Sequence, residues 1–264
     1  MDHPVAGKYQ HLLDILKGLP DLAVAYSGGV DSTLLCQAAC TARGPEHVLI
    51  LLAESCLLSR QGIVDAEAVI NSFFPPSVRF FRVVMDPLSN PAFVVNDPRR
   101  CYICKSRIYD RLLAEIRKQR VATLADGTNL DDLTKNRPGL QAVRERGVHM
   151  PLVEAGFTKA DIRAAALHFR LPNARLPSNS CLATRIASGT EINRDRLKEI
   201  EALEGYLNSA GFPGCRVRPQ QNTVLLEVAE AHWSRLSDPF LRRKIVAYFQ
   251  AKGFATVVVD LVGR

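Results

Sequence analysis

Leu22-Ala23-Val24-Ala25-Tyr26-Ser27-Gly28-Gly29-Val30-Asp31-Ser32 decides the fold. Its first five residues are a short apolar run of the kind that forms a strand buried on both faces of a parallel sheet. Helical spacing follows from about Ser32 to Arg43. A strand–loop–helix of this form turns backbone N–H groups and the positive end of a helix dipole toward the loop, where they can hold phosphate oxygens. Gly28 and Gly29 allow a tight turn and close approach to an anion. Ser27, Ser32 and Thr33 add hydroxyl donors, and Asp31 supplies a carboxylate suited to orienting Mg²⁺. No Gly-Lys-Ser/Thr is present, so the kinase or GTPase type of P-loop is excluded. A glycine turn that merely joins strand to helix is the plain alternative.

Outward from this loop the same alternation continues. Residues 8–18 have helical spacing, and strand His47–Ala53, helix Gln61–Phe73, strand Val78–Met85, helix Tyr102–Lys118 and strand Val121–Ala125 follow in turn. The pattern predicts right-handed βαβ crossovers and an α/β domain whose parallel sheet is covered on both faces. Ligands in such sheets sit at the carboxyl ends of the strands. A helix over Lys159–Phe169 is expected behind Thr158 as N-cap. Leu171–Ile192, rich in Pro, Asn, Ser and Gly, reads as loop and linker. Helix Arg194–Ala210, strands Cys215–Arg218 and Thr223–Val228, helix Ala231–Lys252 and strand Thr256–Leu261 then suggest a compact α+β unit of about 70 residues. The expected division is 1–190 and 191–264.

At 264 residues the chain exceeds the usual single domain of about 100–150 residues, which suits one large and one small domain. With 47% hydrophobic and 23% charged residues it has the composition of a globular protein. The first twenty residues lack the pattern of a signal peptide, and no apolar run approaches the ~20 residues of a bilayer span. A cytoplasmic location without membrane partners is the expectation. Seven cysteines, an odd number, argue for reduced thiols rather than a disulfide framework. The net charge of +7 favours anionic partners such as nucleotides, phosphorylated metabolites or RNA. Its basic residues occur in short pairs such as Arg99-Arg100 and Arg242-Arg243, not in a block that would read as a nucleic-acid arm.

Arg99-Arg100-Cys101-Tyr102-Ile103-Cys104-Lys105 opens a helix, so Cys101 and Cys104 share one face. Cys181 lies in the polar loop Pro177–Arg185. Three thiolates without a fourth partner would leave one iron of a [4Fe–4S] cluster open. Tetrahedral zinc, with His149, His168 or Cys215 as fourth ligand, is the rival, and two buried helix cysteines are the plain reading of the pair. Cys36 and Cys40 share an apolar helix face and read as core; Cys56 reads as packing. Asp126-Gly127-Thr128-Asn129-Leu130-Asp131-Asp132 ends a strand, which puts Gly127 and Asn129 on the binding edge as candidate nucleotide contacts. Lys135, Arg137 and Pro138-Gly139 follow, adding cations there. A plain turn of good turn formers would explain the carboxylates alone.

SGGVDS at 27–32 resembles the PP-loop of the N-type ATP pyrophosphatases, which cleave ATP between the α and β phosphates and adenylylate a substrate. The resemblance implies a fold of the adenine nucleotide α-hydrolase type, with Ser27, Gly28, Gly29, Asp31 and Ser32 receiving the phosphates. Taken with RRCYICK (99–105), DGTNLDDLTKNRPG (126–139), PSNSCLATRI (177–186) and CRVRPQQNTVLLEV (215–228), the chain from about residue 8 onward resembles the LarE family, ATP-dependent sulfur transferases of nickel-pincer nucleotide cofactor biosynthesis. This implies that a carboxylate of a pyridinium dicarboxylate mononucleotide is adenylylated and then exchanged for a thiocarboxylate. Cys181 corresponds to the cysteine that in some members gives up its own sulfur. Other members hold a [4Fe–4S] cluster on a cysteine pair together with that cysteine, and the pair Cys101 and Cys104 favours this form. ATP, Mg²⁺ and the cluster are the implied cofactors, and a homo-oligomer, commonly a hexamer, is the implied assembly. Lys105 and Arg185, beside the sulfur ligands, are candidates for holding a substrate carboxylate or phosphate, Arg137 is a further candidate substrate contact, and Arg216 and Arg218 match an Arg-Val-Arg motif that binds substrate phosphate. Pro219-Gln220-Gln221 stands where the family has a His-Gly-like turn. The rivals are a tRNA sulfur transferase, for which no RNA-binding module is seen, an amide-forming synthetase, and a zinc-stabilised nucleotide sensor.

Overall fold

The structure, a computed structural model, describes residues 3–134, 138–177 and 180–263. In chain order its elements are α1 (His3–Gly18), β1 (Leu22–Tyr26), α2 (Val30–Arg43), β2 (Val48–Glu54), α3 (Arg60–Phe73), β3 (Arg79–Val84), α4 (Pro91–Val94), α5 (Arg100–Lys118), β4 (Thr123–Asp126), α6 (Leu130–Leu133), α7 (Pro138–Glu145), α8 (Pro151–Glu154), α9 (Lys159–His168), α10 (Arg194–Ser209), β5 (Arg216–Gln220), β6 (Thr223–Glu227), α11 (Pro239–Ala251) and β7 (Thr256–Val259). No described helix is long and apolar enough to cross a membrane.

The chain divides into two compact units, Met1–Pro87 with Pro98–Leu176, and Leu88–Asp97 with Pro177–Arg264. In the first, four strands run parallel in the order β3-β2-β1-β4, as the alternation of strands and helices predicts. Period-2 alternation sorts the core. Leu22, Val24, Tyr26, Val48, Ile50 and Leu52 face α1, α2, α3 and α9 in one apolar cluster. Ala23, Leu49, Leu51, Val83 and Leu124 pack with α5 and Val143 in another. β1 is thus buried on both sides, which is why its sequence is an unbroken apolar run. Its neighbours β2 and β4 lie on opposite flanks, so the strand order reverses at β1 and a crevice opens at the carboxyl ends of β1 and β4.

The second unit carries a three-stranded sheet, β5-β6-β7, antiparallel between β5 and β6 and parallel between β6 and β7. Its core joins Leu203, Leu207, Phe212, Val217, Leu226, Ile245 and Phe249. Pro219, which cannot donate to a ladder, sits on the edge strand. Three expectations need correction. The unit begins at Pro177, not near residue 191, and takes in 88–97, because Ile192 N bonds Val94 O, Gly189 N bonds Asn96 O, and the buried Asn96 amide donates to the carbonyls of Ala187 and Thr190. The helix expected over Ala231–Lys252 is a 3₁₀ stretch, Glu230–Ser237, followed by α11, because Asp238 caps a new helix through Phe240 N and Leu241 N with Pro239 at its first position. Pro138-Gly139 opens α7 rather than continuing a loop.

Candidate active site

Ser27–Ser32 joins β1 to α2 at the point where the strand order reverses. Gly28 has φ +75°, and a Cβ there would stand 2.7 Å from Ala66 Cβ. Only glycine meets both conditions. The loop is closed by its own hydroxyls: Ser27 N donates to Ser32 Oγ at 3.2 Å, while Ser32 Oγ and Thr33 Oγ1 donate to Gly29 O at 3.0 and 2.9 Å. Asn173, 2% exposed, donates its amide to Gly28 O and Thr33 Oγ1, both at 2.8 Å. With Gly28 and Gly29 carbonyls held in this way, the side of the loop left for a ligand is the one bearing main-chain N–H groups at the start of α2.

Across the crevice Gly127 follows β4, where a Cβ would lie 2.9 Å from Ser32 N. The turn after β4 therefore packs backbone to backbone on the first turn of α2. Asn129 caps α6, accepting from Asp131 N at 3.0 Å in a capping box with Asp132. Its amide oxygen is thus committed to the chain itself and shapes the turn. Asp126, 5% exposed, accepts from Tyr109 Oη at 2.5 Å and Thr128 N at 3.0 Å. Burial, with the Asp126 charge beside it, pushes the Tyr109 phenol well above its ordinary range, so it stays a donor. Lys105 lies over the Tyr109 ring at 5.7 Å, with Nζ 4.0 Å from Asp126 Oδ2 and its stem against Gly139.

Asp31, in the first turn of α2, is met by Lys159 Nζ at 2.6 Å from each carboxylate oxygen. Burial raises the Asp31 pKa, Lys159 pulls it back, Asp132 raises it and Arg163 lowers it. Lys159 opens α9, and its backbone N donates to Asp131 Oδ2 at 2.7 Å. Sequence reasoning passed over Lys159 and Asn173. The first looks like an ordinary surface lysine behind a cap, and the second lies in a stretch whose composition says loop. Arg137 and Lys135 lie outside the described residues.

In the second unit Cys181 precedes the 3₁₀ turn Leu182–Arg185. Arg185, 3% exposed, gives Nε and Nη2 to Glu204 at 2.7 and 3.3 Å, and Nη1 to Ser180 Oγ at 2.5 Å and Thr184 Oγ1 at 2.8 Å. It braces the Cys181 loop on α10. Arg216 and Arg218 project from one face of β5 onto Glu227, Arg216 at 3.6 Å and Arg218 in a short hydrogen bond; Arg218 also donates to Thr184 O. Burial and the nearby Arg185 lower the Arg216 pKa from the ordinary guanidinium value. Its Nε is buried with no partner among the described residues.

All seven cysteines are thiols. Cys36 lies in the first core and Cys40 packs against it, as expected. Cys215 is 3% exposed in the core of the second unit, with Sγ directed to Glu204 O and Asn208 Oδ1, which is packing rather than ligation. His149 and His168 are exposed. Cys101 is exposed and Cys104 half-buried at the start of α5, and Cys181 is half-buried. Within neither unit do three His, Cys, Asp or Glu side chains among the described residues gather as a metal-binding group. In kind the donor set suits an iron–sulfur group: Cys101, Cys104 and Cys181 are thiols outside the cores, as is Cys56, and the first two stand one helical turn apart.

No family model matches the chain. An uncharacterized protein of Synechocystis sp. is 32% identical over 256 residues, 97% of this chain and 94% of that protein. One from Methanocaldococcus jannaschii is 29% identical over 246 residues, 91% of this chain and 89% of its own length. The pyridinium-3,5-bisthiocarboxylic acid mononucleotide synthase of Lactiplantibacillus plantarum is 31% identical over 260 residues, 98% of this chain and 92% of the synthase. Identity at that level over 98% of this chain and 92% of the synthase means that this chain belongs to the LarE family.

Proposed function

We propose that the protein is an ATP-dependent sulfurtransferase that converts a carboxylate of a pyridinium dicarboxylate mononucleotide to a thiocarboxylate. The observation that carries the reading is the strand–loop–helix at the point where the strand order reverses, with Gly28 seated against Ala66 and Gly127 against the backbone of Ser32 so that no side chain covers either turn. Glycine turns beside the main-chain N–H groups that open a helix suit a triphosphate. A carboxylate oxygen attacks the α phosphorus, the bond to the β-phosphoryl oxygen breaks, and pyrophosphate leaves with the electron pair. The acyl adenylate is then a good electrophile: a sulfur nucleophile adds at the carbonyl carbon and AMP departs with the former carboxylate oxygen. Loop N–H groups and Ser27 hold phosphate oxygens, Ser32 keeps the loop closed around them, Asp31 would hold Mg²⁺, which supplies charge neutralisation of the phosphates, and Lys105, held by Tyr109 and Asp126, offers its ammonium to an anion at the strand ends. In the second unit Arg216 and Arg218 bind the substrate phosphate, and Arg185 positions Cys181.

Cys101, Cys104 and Cys181 would hold a [4Fe–4S] cluster, whose chemistry is to carry an exchangeable sulfide. A second reading, in which Cys181 donates its own sulfur and becomes dehydroalanine, is favoured by one observation: Cys181 belongs to a different compact unit from the pair. Anaerobic incubation with ATP and the dicarboxylated nucleotide, with and without added sulfide, followed by mass spectrometry of product and protein, tests both. Thiocarboxylate with an unchanged protein mass supports the cluster, and loss of hydrogen sulfide from Cys181 supports sacrifice. AMP formation without thiocarboxylate under either condition contradicts sulfur transfer.

A further inference from the structure

We propose that Tyr109 is a positioning residue whose hydroxyl holds the Lys105 ammonium off the Asp126 carboxylate, keeping that cation for an oxyanion of the bound nucleotide or of the acid substrate. The inference rests on the reading of Lys105 given above and goes beyond it by assigning the group that prevents its capture by the protein's own carboxylate.

Lys105 and Tyr109 stand four residues apart on α5 and therefore share one face of the helix. Tyr109 bonds to Asp126, the last residue of β4. A long, flexible lysine beside a carboxylate that is 5% exposed has every reason to close into a direct ion pair, because opposite charges attract more strongly away from water. It stops short. Nζ stands 4.0 Å from Asp126 Oδ2, beyond hydrogen-bond reach. Tyr109 Oη bridges the two groups, donating to Oδ2 at 2.5 Å and accepting from Nζ at 3.5 Å. Asp126 Oδ1 accepts from Thr128 N at 3.0 Å. Both carboxylate oxygens are thus bonded to uncharged donors, and the ammonium is not spent on them.

The wedge is built to last. Tyr109 is 4% exposed, and burial beside the Asp126 charge keeps its phenol protonated, so the single proton stays on the carboxylate and only lone pairs remain for Lys105. The lysine stem lies against bare main chain at Gly139, where a Cβ would stand 2.9 Å from Lys105 Cδ. An ammonium has three donors, and the bond to Tyr109 uses one of them. The side chain is 41% exposed, so the others can reach a ligand. Without the hydroxyl, Asp126 loses its shortest bond and a buried carboxylate is left short of a donor. Lys105 then closes the gap on its flexible stem, and the ammonium withdraws from the ligand.

Calorimetric titration of the full chain with Mg²⁺-ATP and, separately, with the pyridinium dicarboxylate mononucleotide tests the assignment. Wild type, Lys105→Met, Asp126→Asn and Tyr109→Phe are compared, together with Tyr109→Phe placed on each of the other two variants, and thermal melting confirms folding. Lys105→Met is expected to weaken one of the two probes about tenfold, which identifies the molecule that carries the oxyanion. Tyr109→Phe should weaken the same probe about fivefold, yet by less than about twofold in the Lys105→Met background, where no ammonium is left to position. In the Asp126→Asn background, where no carboxylate captures the ammonium, its effect should likewise stay below about twofold. If Tyr109→Phe alone does not fold, that last pair decides, since it leaves no buried charge without a donor. An equal loss from Tyr109→Phe in every background, the mark of simple packing, would overturn the proposal. So would wild-type affinity in folded Tyr109→Phe, or a Lys105→Met variant that binds both probes normally. Wild type that binds neither probe would contradict the ATP reading itself, and the assignment with it.

Discussion

The phosphate loop of the first unit and the arginine strand of the second both offer positive charge to an anion, by opposite means. The loop does it with main-chain N–H groups at a helix start, exposed because Gly28 and Gly127 carry no side chain where one would strike Ala66 or Ser32. The strand and the 3₁₀ turn beside it do it with guanidinium groups that already have carboxylate partners, Arg216 and Arg218 of β5 on Glu227 and Arg185 of the turn on Glu204. A backbone site depends on space and on φ, so it fails through sterics and is indifferent to which polar residues surround it. A side-chain site depends on charge balance, so it fails through an unpaired partner and responds to salt.

Substitutions at the two glycines should break this contrast most sharply. Gly28→Ala forces a residue with a Cβ into φ +75° against Ala66, and Gly127→Ala puts a methyl group on the Ser32 backbone. The left-handed conformation alone costs about 1–2 kcal/mol, and the steric contact adds to it. ATP affinity measured by calorimetry should fall about 100-fold or more in each, with unfolding of the second unit unchanged. Arg185→Met should do the reverse. Removing a nearly inaccessible guanidinium strands Glu204, and a broken buried pair costs about 3–5 kcal/mol. Urea unfolding should show that loss, the double variant Arg185→Met with Glu204→Leu should regain most of it, and ATP affinity should stay within about twofold. Arg216→Gln is milder. Substrate affinity should drop about tenfold, or about 1.4 kcal/mol, and the remaining affinity should depend less steeply on salt than in wild type.

The smallest effect belongs to Asp31. Burial holds its carboxyl above the ordinary carboxylate range despite Lys159, so the folded state retains a proton that the unfolded chain releases. The resulting stability is fully present at pH values below the unfolded carboxylate range and is lost as pH rises through the raised folded value. Asp31→Asn should flatten that slope in nucleotide-free protein, which melting temperatures across the acid range would record. A slope unchanged by the substitution would mean that Lys159 compensates burial completely.

The same contrast explains what could be read from the sequence. The loop and its sheet were legible because backbone requirements leave marks in residue type: an apolar run for a doubly buried strand, glycines where a Cβ cannot fit, a Ser or Thr at a helix start. All four strands of the first sheet follow from such marks, and so does the core placement of Cys36. The side-chain network left no comparable mark. The sequence offers Arg185 as a candidate substrate contact and carries no sign of its brace on Glu204, a residue on a helix whose approach only folding determines. The tie between 88–97 and 187–192 is likewise a matter of long-range hydrogen bonds, which is why the linker composition suggested a boundary near 190. Two misses did have signals. Asp238-Pro239 is a cap followed by a first-turn proline, which marks a new helix inside the supposed long one, and Pro138 likewise suits the first position of α7. Lys159 had none, since its meaning comes from the distance to Asp31 and not from its neighbours in the chain.

Carboxylate activation at the loop is most directly tested by exchange of radiolabelled pyrophosphate into ATP. The wild-type protein should catalyse it only when the pyridinium dicarboxylate mononucleotide is present, without any sulfur source, and Gly28→Ala should abolish it. Exchange that proceeds without the dicarboxylate, or none in its presence under conditions where the protein binds both partners, would contradict formation of an acyl adenylate in this crevice.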